Sequence, residues 1–540
     1  ASFKRLIQAD ASNDFGRFDP WYSRDFFTKA VLRSKEADLI VTNHALLFSD
    51  LQHQAGILPT DTPLVLDEAH QVEEVASHHF GVTFDAIQFD RLFKWFGYGA
   101  DGKFHSRIIQ LADLTSVTEE AEAFSQQIDS ALARVEEELE DLLTSLQSLG
   151  KKKEPRQTVR FEREGATFRP IREVANRLED KLRTLRTSLR HLHRLLDERK
   201  EHMTFNQRAL LGDLKTLIGD VRELESVIYE TMLTRDDDAV SWVELNLGNR
   251  KLTSVYTQPV EIGPLLHERL FKKRPTILTS ATMTVSGKFS FMERRLGLEG
   301  EPVRRVVLPS PFNFKEQAKL FVPSDFPLIN EVPLPQFVDQ TAQSIVQIAN
   351  VTKGRMLVLF TSNELLRLTY EQVKDHLDPS YTLLAQGVSG GSRSRLTKQF
   401  KRMEQSILFG TASFWEGVDI PGEALTCLVI VRLPFAPPDQ PIMQARSEKI
   451  EAMGKSPFFE LSLPQAVIRF KQGVGRLIRS KGDYGAVFVF DRRVETTRYG
   501  KQFINSLPKV DRIEGTLETS LSELELFLDE KEKSVARNDR

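Results

Sequence analysis

Asp67 and Glu68 close the apolar run Pro63-Leu64-Val65-Leu66 and are followed by Ala69 and His70. A carboxylate at the end of a strand can hold Mg²⁺ through water, and a second one beside it can orient or deprotonate an attacking water. The pair therefore suits Mg-nucleotide chemistry. The plainer alternative is an acidic helix start, because Glu73 and Glu74 follow. Far along the chain, Gln472-Gly473-Val474-Gly475-Arg476-Leu477-Ile478-Arg479 sets two arginines at a spacing that shares one helical face. Guanidinium groups so placed can neutralise charge developing on a terminal phosphate. Glycine costs a helix interior about 1 kcal/mol relative to alanine, so Gly473 and Gly475 argue against a mere surface helix.

Two further clusters carry polar groups at strand ends. Thr279, Ser280 and Thr282 follow an apolar run and on their own read as a helix cap. Gly410-Thr411 leads into Phe414-Trp415-Glu416-Gly417-Val418-Asp419. Its acids and aromatic could meet a ribose or phosphate or stack a base, and Trp415 could equally pack in the core.

Mg-nucleotide chemistry also needs a loop that grips phosphates, ordinarily Gly, four residues, then Gly-Lys-Ser/Thr. The one Gly-Lys-Ser here is Gly454-Lys455-Ser456, with Lys449 where the first glycine would stand and Pro457-Phe458-Phe459-Glu460 following in place of a helix. It is not read as a phosphate loop.

Composition narrows the class. The chain has 540 residues, enough for three or four domains, with 40% hydrophobic and 28% charged residues. Its 73 basic and 76 acidic residues nearly cancel, so bulk charge predicts no nucleic-acid partner, although a local basic groove can hide in that average. The single cysteine, Cys427, rules out an intrachain disulfide, a four-cysteine zinc site and a four-cysteine iron–sulfur cluster held by this chain, and it reads as a core residue. No apolar run of membrane-spanning length occurs and the first residues do not read as a signal peptide, so the expected location is cytoplasmic. The first residue is not Met and core-type pattern starts within a few dozen residues, so the chain is expected to be a piece of a longer protein.

The elements that position these residues read as parallel α/β. Residues 36–48, 63–70, 274–283, 354–366, 405–422, 424–435 and 485–493 each hold an apolar strand core ending in polar residues, the pattern of strands whose carboxyl ends carry function. Between about 105 and 230 the texture changes to long helical seams: Leu132, Val135, Leu139, Leu142, Leu146; then Ile171 to Leu196; then Leu210 to Ile228. Residues 150–157 are expected to be a solvated turn between the first two, and 308–328, rich in proline, to be a hinge between two sheets. The tail after about 512 reads as acidic and helical.

The series Ile40-Val-Thr-Asn-His-Ala-Leu-Leu-Phe48, Leu64-Val-Leu-Asp-Glu-Ala-His-Gln71, Leu278-Thr-Ser-Ala-Thr-Met283, Leu357-Val-Leu-Phe-Thr-Ser362, Phe409-Gly-Thr-Ala-Ser-Phe-Trp-Glu-Gly-Val-Asp419 and Gln472 to Arg493 resembles the DinG branch of the XPD-like superfamily 2 DNA helicases, over nearly the whole chain. The resemblance implies two RecA-like parallel-sheet motor domains with an inserted arch-like module of long helices. The expected division is 1–85 and 241–318 for motor domain 1, 86–240 for the insertion and 319–540 for motor domain 2. ATP and Mg²⁺ would bind between the motors, and single-stranded or forked DNA would cross them.

By the same resemblance Asp67 is the Mg²⁺ ligand, through water, and Glu68 the water-activating base. His70 would couple the nucleotide to the second motor. Ser280 and Thr282 would link hydrolysis to DNA movement, and Gly417 and Asp419 would sense nucleotide and DNA alongside Thr411 and Trp415. Gln472 would touch the nucleotide, Arg476 and Arg479 would be arginine fingers, and Thr361 and Ser362 would lie near the DNA backbone. In the family the phosphate loop precedes the 40–48 motif, so it is expected upstream of this chain, and the fragment alone is expected not to hydrolyse ATP. Many relatives hold an iron–sulfur cluster there on four cysteines, whereas residues 1–63 contain none. Cluster-free relatives often carry a 3′–5′ exonuclease domain ahead of the motor. The expected function is an ATP-dependent helicase or translocase, 5′ to 3′, in repair or replication. The alternative is an ATP-gated DNA-binding module of an exonuclease that does not unwind.

Overall fold

The computed structural model describes residues 25–53, 56–96, 118–151, 154–198, 200–415 and 424–538. In the first α/β unit, α1 (Phe26–Glu36) and α2 (His44–His53) precede β1 (Leu64–Leu66) and α3 (Val72–Phe80). The chain then enters the insertion: β2 (Val82–Asp85), α4 (Ile87–Phe96), α5 (Thr118–Gln147), β3 (Arg156–Phe161), α6 (Arg169–Asp197), α7 (Phe205–Ile228), β4 (Ala239–Asn246) and β5 (Ser254–Pro259). It returns to the first unit with β6 (Thr276–Leu278) and α8 (Ser290–Leu296).

β1 and β6 pair in parallel with Leu66 opposite Leu278, so two segments some two hundred residues apart end side by side. The core beneath them joins Leu66, Ala69, Val72 and Ala76 to Leu266, Phe291 and Leu296. The cross-strand partners Val65 and Ile277 are 62% and 63% exposed.

The long helices follow the apolar seams. Ile128, Leu132, Val135 and Leu142 of α5 meet Leu178, Leu182, Leu185 and Leu189 of α6, and Leu214, Leu217 and Val221 of α7, in one buried cluster. Each such side chain contributes about 1.5–3 kcal/mol by leaving water, which makes the seam, not local propensity, the source of helix stability. Thr204 starts α7 with a capping box: the Gln207 side chain accepts from the Thr204 backbone N–H at 2.7 Å.

The insertion is not purely helical. Strands β2-β5-β4-β3 form an antiparallel sheet at its base. The boundaries expected at 85/86 and 240/241 therefore fall at the edge of β2 and inside β4. The stretch read as a turn over 150–157 already enters β3 at Arg156. The signal was the alternation of Val159 and Phe161 with polar neighbours, hidden behind a lysine run.

The second unit contains β7 (Ala318–Pro323), α9 (Leu334–Thr352), β8 (Met356–Leu359), α10 (Asn363–His376), β9 (Thr382–Ala385), α11 (Arg393–Arg402), β10 (Ser406–Gly410), β11 (Cys427–Ile430), α12 (Pro441–Ala452), α13 (Leu463–Val474), β12 (Gly485–Val489), β13 (Asp511–Gly515) and α14 (Leu517–Asn538). Its seven strands are all parallel in the order β13-β7-β12-β11-β8-β10-β9. Parallel sheets are covered on both faces, and two separate hydrophobic clusters flank this one. The expected hinge over 308–328 is shorter than its prolines suggested. Residues 302–310 have no regular structure, but Ala318–Pro323 is a strand of the sheet with five of its six residues buried. A continuous apolar run in a parallel sheet is a strand, and the flanking prolines merely bound it.

Candidate nucleotide site and the joint between the units

The β1–β6 pairing continues past both strands: Thr279 N–H donates to the Leu66 carbonyl and Ala69 N–H to the Thr279 carbonyl, each at 2.9 Å. Asp67 and Glu68 are thereby held beside Thr279 and Ser280 at the carboxyl edge, where open α/β sheets bind ligands. Asp67 Oδ1 accepts the Glu68 N–H at 2.9 Å. Glu68 sits in the left-handed region at φ 48°, ψ 43°, a conformation costing roughly 1–2 kcal/mol for a residue with a Cβ. Both carboxylates are exposed. An open, oxygen-only pair at a strand end fits a hydrated Mg²⁺, with Asp67 as the group that would hold it.

The His70 side chain is 8% exposed, and its Nδ1 shares a 2.8 Å hydrogen bond with Ser280 Oγ. Burial, reinforced by the positive charges of Arg476 and His44 and opposed by Asp67, pushes its pKa down to about 4. The 3.3 Å approach of Nδ1 to Glu68 Oε2 is therefore contact with a neutral ring, not an ion pair. Ser280 Oγ accepts the Thr282 N–H at 3.1 Å and lies 3.4 Å from Thr282 Oγ1. Gln472 Nε2 of α13 then donates to Thr282 Oγ1 at 3.3 Å. A chain of polar contacts thus runs from Glu68 through His70, Ser280 and Thr282 to Gln472, crossing from the first unit to the second.

The arginines do not share a helical face. α13 ends at Val474, with Gly475 as its cap, so Arg476 and Arg479 lie in the turn beyond it. Arg476 Nη2 donates to the Trp415 carbonyl at 3.4 Å, and its charge reaches His70. Arg479 is placed by another device: its N–H donates to Asp483 Oδ2 at 2.7 Å, and Ser480 N–H does so at 2.9 Å. Gln317, at the start of the second unit, grips the same loop by donating to the carbonyls of Ser480 and Asp483 at 2.9 and 2.8 Å.

Trp415 is 3% exposed and its Nε1 donates to the Phe360 carbonyl at 3.2 Å. Of the two readings left open for Trp415, base stacking and core packing, the burial supports the second: the ring is core. It also explains Gly473, where a Cβ would lie 3.0 Å from Trp415 Cε3 and Cζ3. Thr411 is buried too, its N–H and hydroxyl both donating to Gln386 Oε1, at 3.0 and 3.1 Å, and its hydroxyl 3.1 Å from Asn363 Oδ1. Ser362 caps α10 by accepting the Leu365 N–H at 3.2 Å, and Thr361 beside it is half-buried at the end of β8. Gly417 and Asp419 lie outside the described residues.

Sequence reasoning did not assign Gln386, Asn363 or Gln317, whose neutral amides leave no pattern until the strand ends are brought together. It also noted Glu73 only as a sign that an acidic helix start was the alternative to a catalytic Asp67-Glu68 pair. Glu73 is in fact mostly buried, its side chain 12% exposed, beside Arg295 and Arg446, with Arg295 Nε 2.6 Å from its Oε2 and Arg446 Nη2 2.8 Å from its Oε1. Burial raises the Glu73 carboxyl pKa, but those guanidinium groups outweigh it and hold it below the usual range. No helix among the described residues is long and apolar enough to cross a membrane.

A model of the helicase C-terminal domain matches residues 345–510. The chain is 33% identical to a Bacillus subtilis protein named 3′-5′ exonuclease DinG, over 93% of this chain and 54% of that protein. It is 30% identical to the ATP-dependent DNA helicase YoaA of Haemophilus influenzae, over 94% of this chain and 72% of the relative. It is also 30% identical to the ATP-dependent DNA helicase DinG of Photobacterium profundum, over 90% and 70%. The chain thus spans about half the length of the Bacillus relative. Among solved structures its fold is similar to an XPD helicase, with a TM-score of 0.55 at 16% identity, covering 92% of this chain and 76% of that one.

Proposed function

The chain belongs to the DinG–YoaA family of XPD-like helicases, and on that premise we propose that it is the motor portion of an ATP-dependent enzyme that moves on single-stranded DNA. The polar chain from Glu68 to Gln472 carries the reading, because it ties a nucleotide-hydrolysing carboxylate to the opposite α/β unit. Bound ATP and Mg²⁺ would supply the reacting phosphates and the charge that holds them. Asp67 would hold the ion through its water shell, and Glu68 would accept the proton of the attacking water. Arg476 stabilises negative charge from the second unit. His70 stays neutral and serves as a hydrogen-bonding relay to Ser280, not as an acid.

Thr361 and Ser362 at the end of β8 suit contacts to a DNA backbone, which need no base identity. Movement in the 5′ to 3′ direction, on single-stranded or forked substrates in repair or replication, completes the proposal, with a cytoplasmic location. One cysteine falls short of the four thiolates that hold an iron–sulfur cluster, so any such cluster would need other residues.

A second reading is favoured by the relative named as an exonuclease: the motor fold would bind DNA and gate a nuclease without unwinding. Strand displacement and strand degradation measured side by side on the full-length protein, with and without ATP, separate the two. ATP-dependent displacement without degradation supports the motor; degradation without displacement overturns it.

A further inference from the structure

Helix α12 belongs to the second α/β unit by sequence but not by packing. Among the described residues, neither hydrophobic cluster of that unit draws a side chain from it. Its Ala445 and Ile442 instead join Val240, Trp242 and Tyr256 of the insertion's basal sheet, and Val260 just after β5, in a small core of their own. Trp242 and Tyr256 stack with centroids 5.1 Å apart beneath it. Around this core, Glu448 receives both Nη atoms of Arg160 of β3, at 2.6 and 2.7 Å, and Lys449 Nζ donates to Glu261 at 2.8 Å.

The first unit is held through the same helix. Arg446 is buried, donates from Nε to the Val260 carbonyl at 2.9 Å, and reaches Glu73 of α3 at 2.8 Å and Ser77 Oγ at 3.5 Å. Glu73 lies on the helix that directly follows His70. One guanidinium therefore touches both the helix behind the nucleotide carboxylates and the base of the insertion. A cleft of about 290 Å³ opens beside it, lined among others by His70, Gln258, Arg446 and Gln472.

The connections of α12 to its own unit are short. Ala436-Pro437-Pro438-Asp439-Gln440 leads in, and Met453-Gly454-Lys455-Ser456-Pro457 leads out. Gly454 takes φ 72° with open space around it. The Gly-Lys-Ser that mimicked a phosphate loop is thus the exit of this helix.

We propose that α12 is a clasp: it stays fixed on the insertion's base and on α3 while the rest of the second unit swings about the two linkers, and Arg446 is the positioning residue through which the nucleotide site and the insertion move together. Exposed ion pairs are worth little alone, so Arg160–Glu448 sets register while Arg446 and the small core hold the joint. The inference rests on the chain being a DNA motor.

The test uses the full-length protein. Arg446→Gln is expected to leave DNA-stimulated ATP hydrolysis within about threefold while strand displacement per ATP falls about tenfold, a coupling-sized effect. Arg160→Glu is expected to lower displacement about two- to threefold, and Glu448→Arg in the same molecule to restore it. Arg160→Cys and Glu448→Cys joined by a short bis-maleimide should leave displacement intact; Cys427, fully buried with its thiol pKa pushed up, stays unreactive. Hydrogen exchange gives a readout free of activity: Arg446→Gln should speed exchange in both α3 and β5. Loss of displacement on cross-linking with hydrolysis preserved overturns the clasp. So does an Arg446→Gln protein with unchanged displacement per ATP and unchanged exchange. A wild-type protein that never displaces strands refutes the proposed motor, and the exchange measurement alone then decides the clasp.

Discussion

Gln472 Nε2 donates to Thr282 Oγ1 across 3.3 Å, joining α13 of the second unit to the hydroxyl cluster behind His70. Gln472 is buried, and its Oε1 has no hydrogen-bond partner among the described residues. Thr282→Val would therefore leave both ends of a buried amide unmet, a penalty of about 1–3 kcal/mol. We expect DNA-stimulated ATP turnover to fall about tenfold, the effect of weakening the coupling between the two units by about 1.4 kcal/mol, with nucleotide affinity changed far less. Steady-state turnover beside equilibrium nucleotide titration checks the split.

Glu68→Gln keeps the shape of the side chain and removes its basicity. In the full-length protein, DNA-stimulated hydrolysis should fall by about 10² or more, the usual contribution of a positioned base, while ATP still binds. Turnover within a few-fold of wild type would remove Glu68 from the role of base.

His70 should titrate far below an ordinary histidine. Its folded pKa is pushed down to about 4, mainly by burial. Between that value and about 6.5, the usual pKa of an unfolded histidine, the unfolded chain binds the proton and the folded chain does not. Stability from this group is therefore full above about pH 6.5 and declines as pH falls toward 4. Following the His70 ring by NMR through acidification checks the midpoint. A midpoint near 6.5 would place the ring in solvent.

The parallel sheet, the helical seams and the residues around Asp67 were legible because each leaves a local pattern: continuous apolar strands, three-and-four spacing, acids at a strand end. The base of the insertion was not, since the alternation of β3 follows a charged run. Nor was the place of Trp415, whose burial depends on α13 presenting a glycine to its ring. Local spacing also put Arg476 and Arg479 on a helix that stops at Val474. Beyond the Gly475 cap, the loop is held by Asp483, which accepts the N–H groups of Arg479 and Ser480 and so orients Arg479 off the helix.

Gly473→Ala tests the packing of α13 on Trp415. Alanine would gain about 1 kcal/mol of helix propensity, but its Cβ would press on a ring fixed by the Nε1 bond to Phe360. Overpacking of this kind costs about 1–3 kcal/mol, so the balance should be destabilising. We expect a lower thermal midpoint, measured by calorimetry, together with reduced ATP turnover because Gln472 is the preceding residue. An unchanged or raised midpoint would mean the ring yields.

The strand order of the second unit also constrains its synthesis. β7 is its first strand, yet both of its neighbours, β12 and β13, are its last two. Such pairings have high contact order and form slowly. A nascent chain leaving the ribosome carries the buried face of β7 uncovered until almost the entire unit has emerged. The half-made sheet is then exposed to aggregation for most of translation.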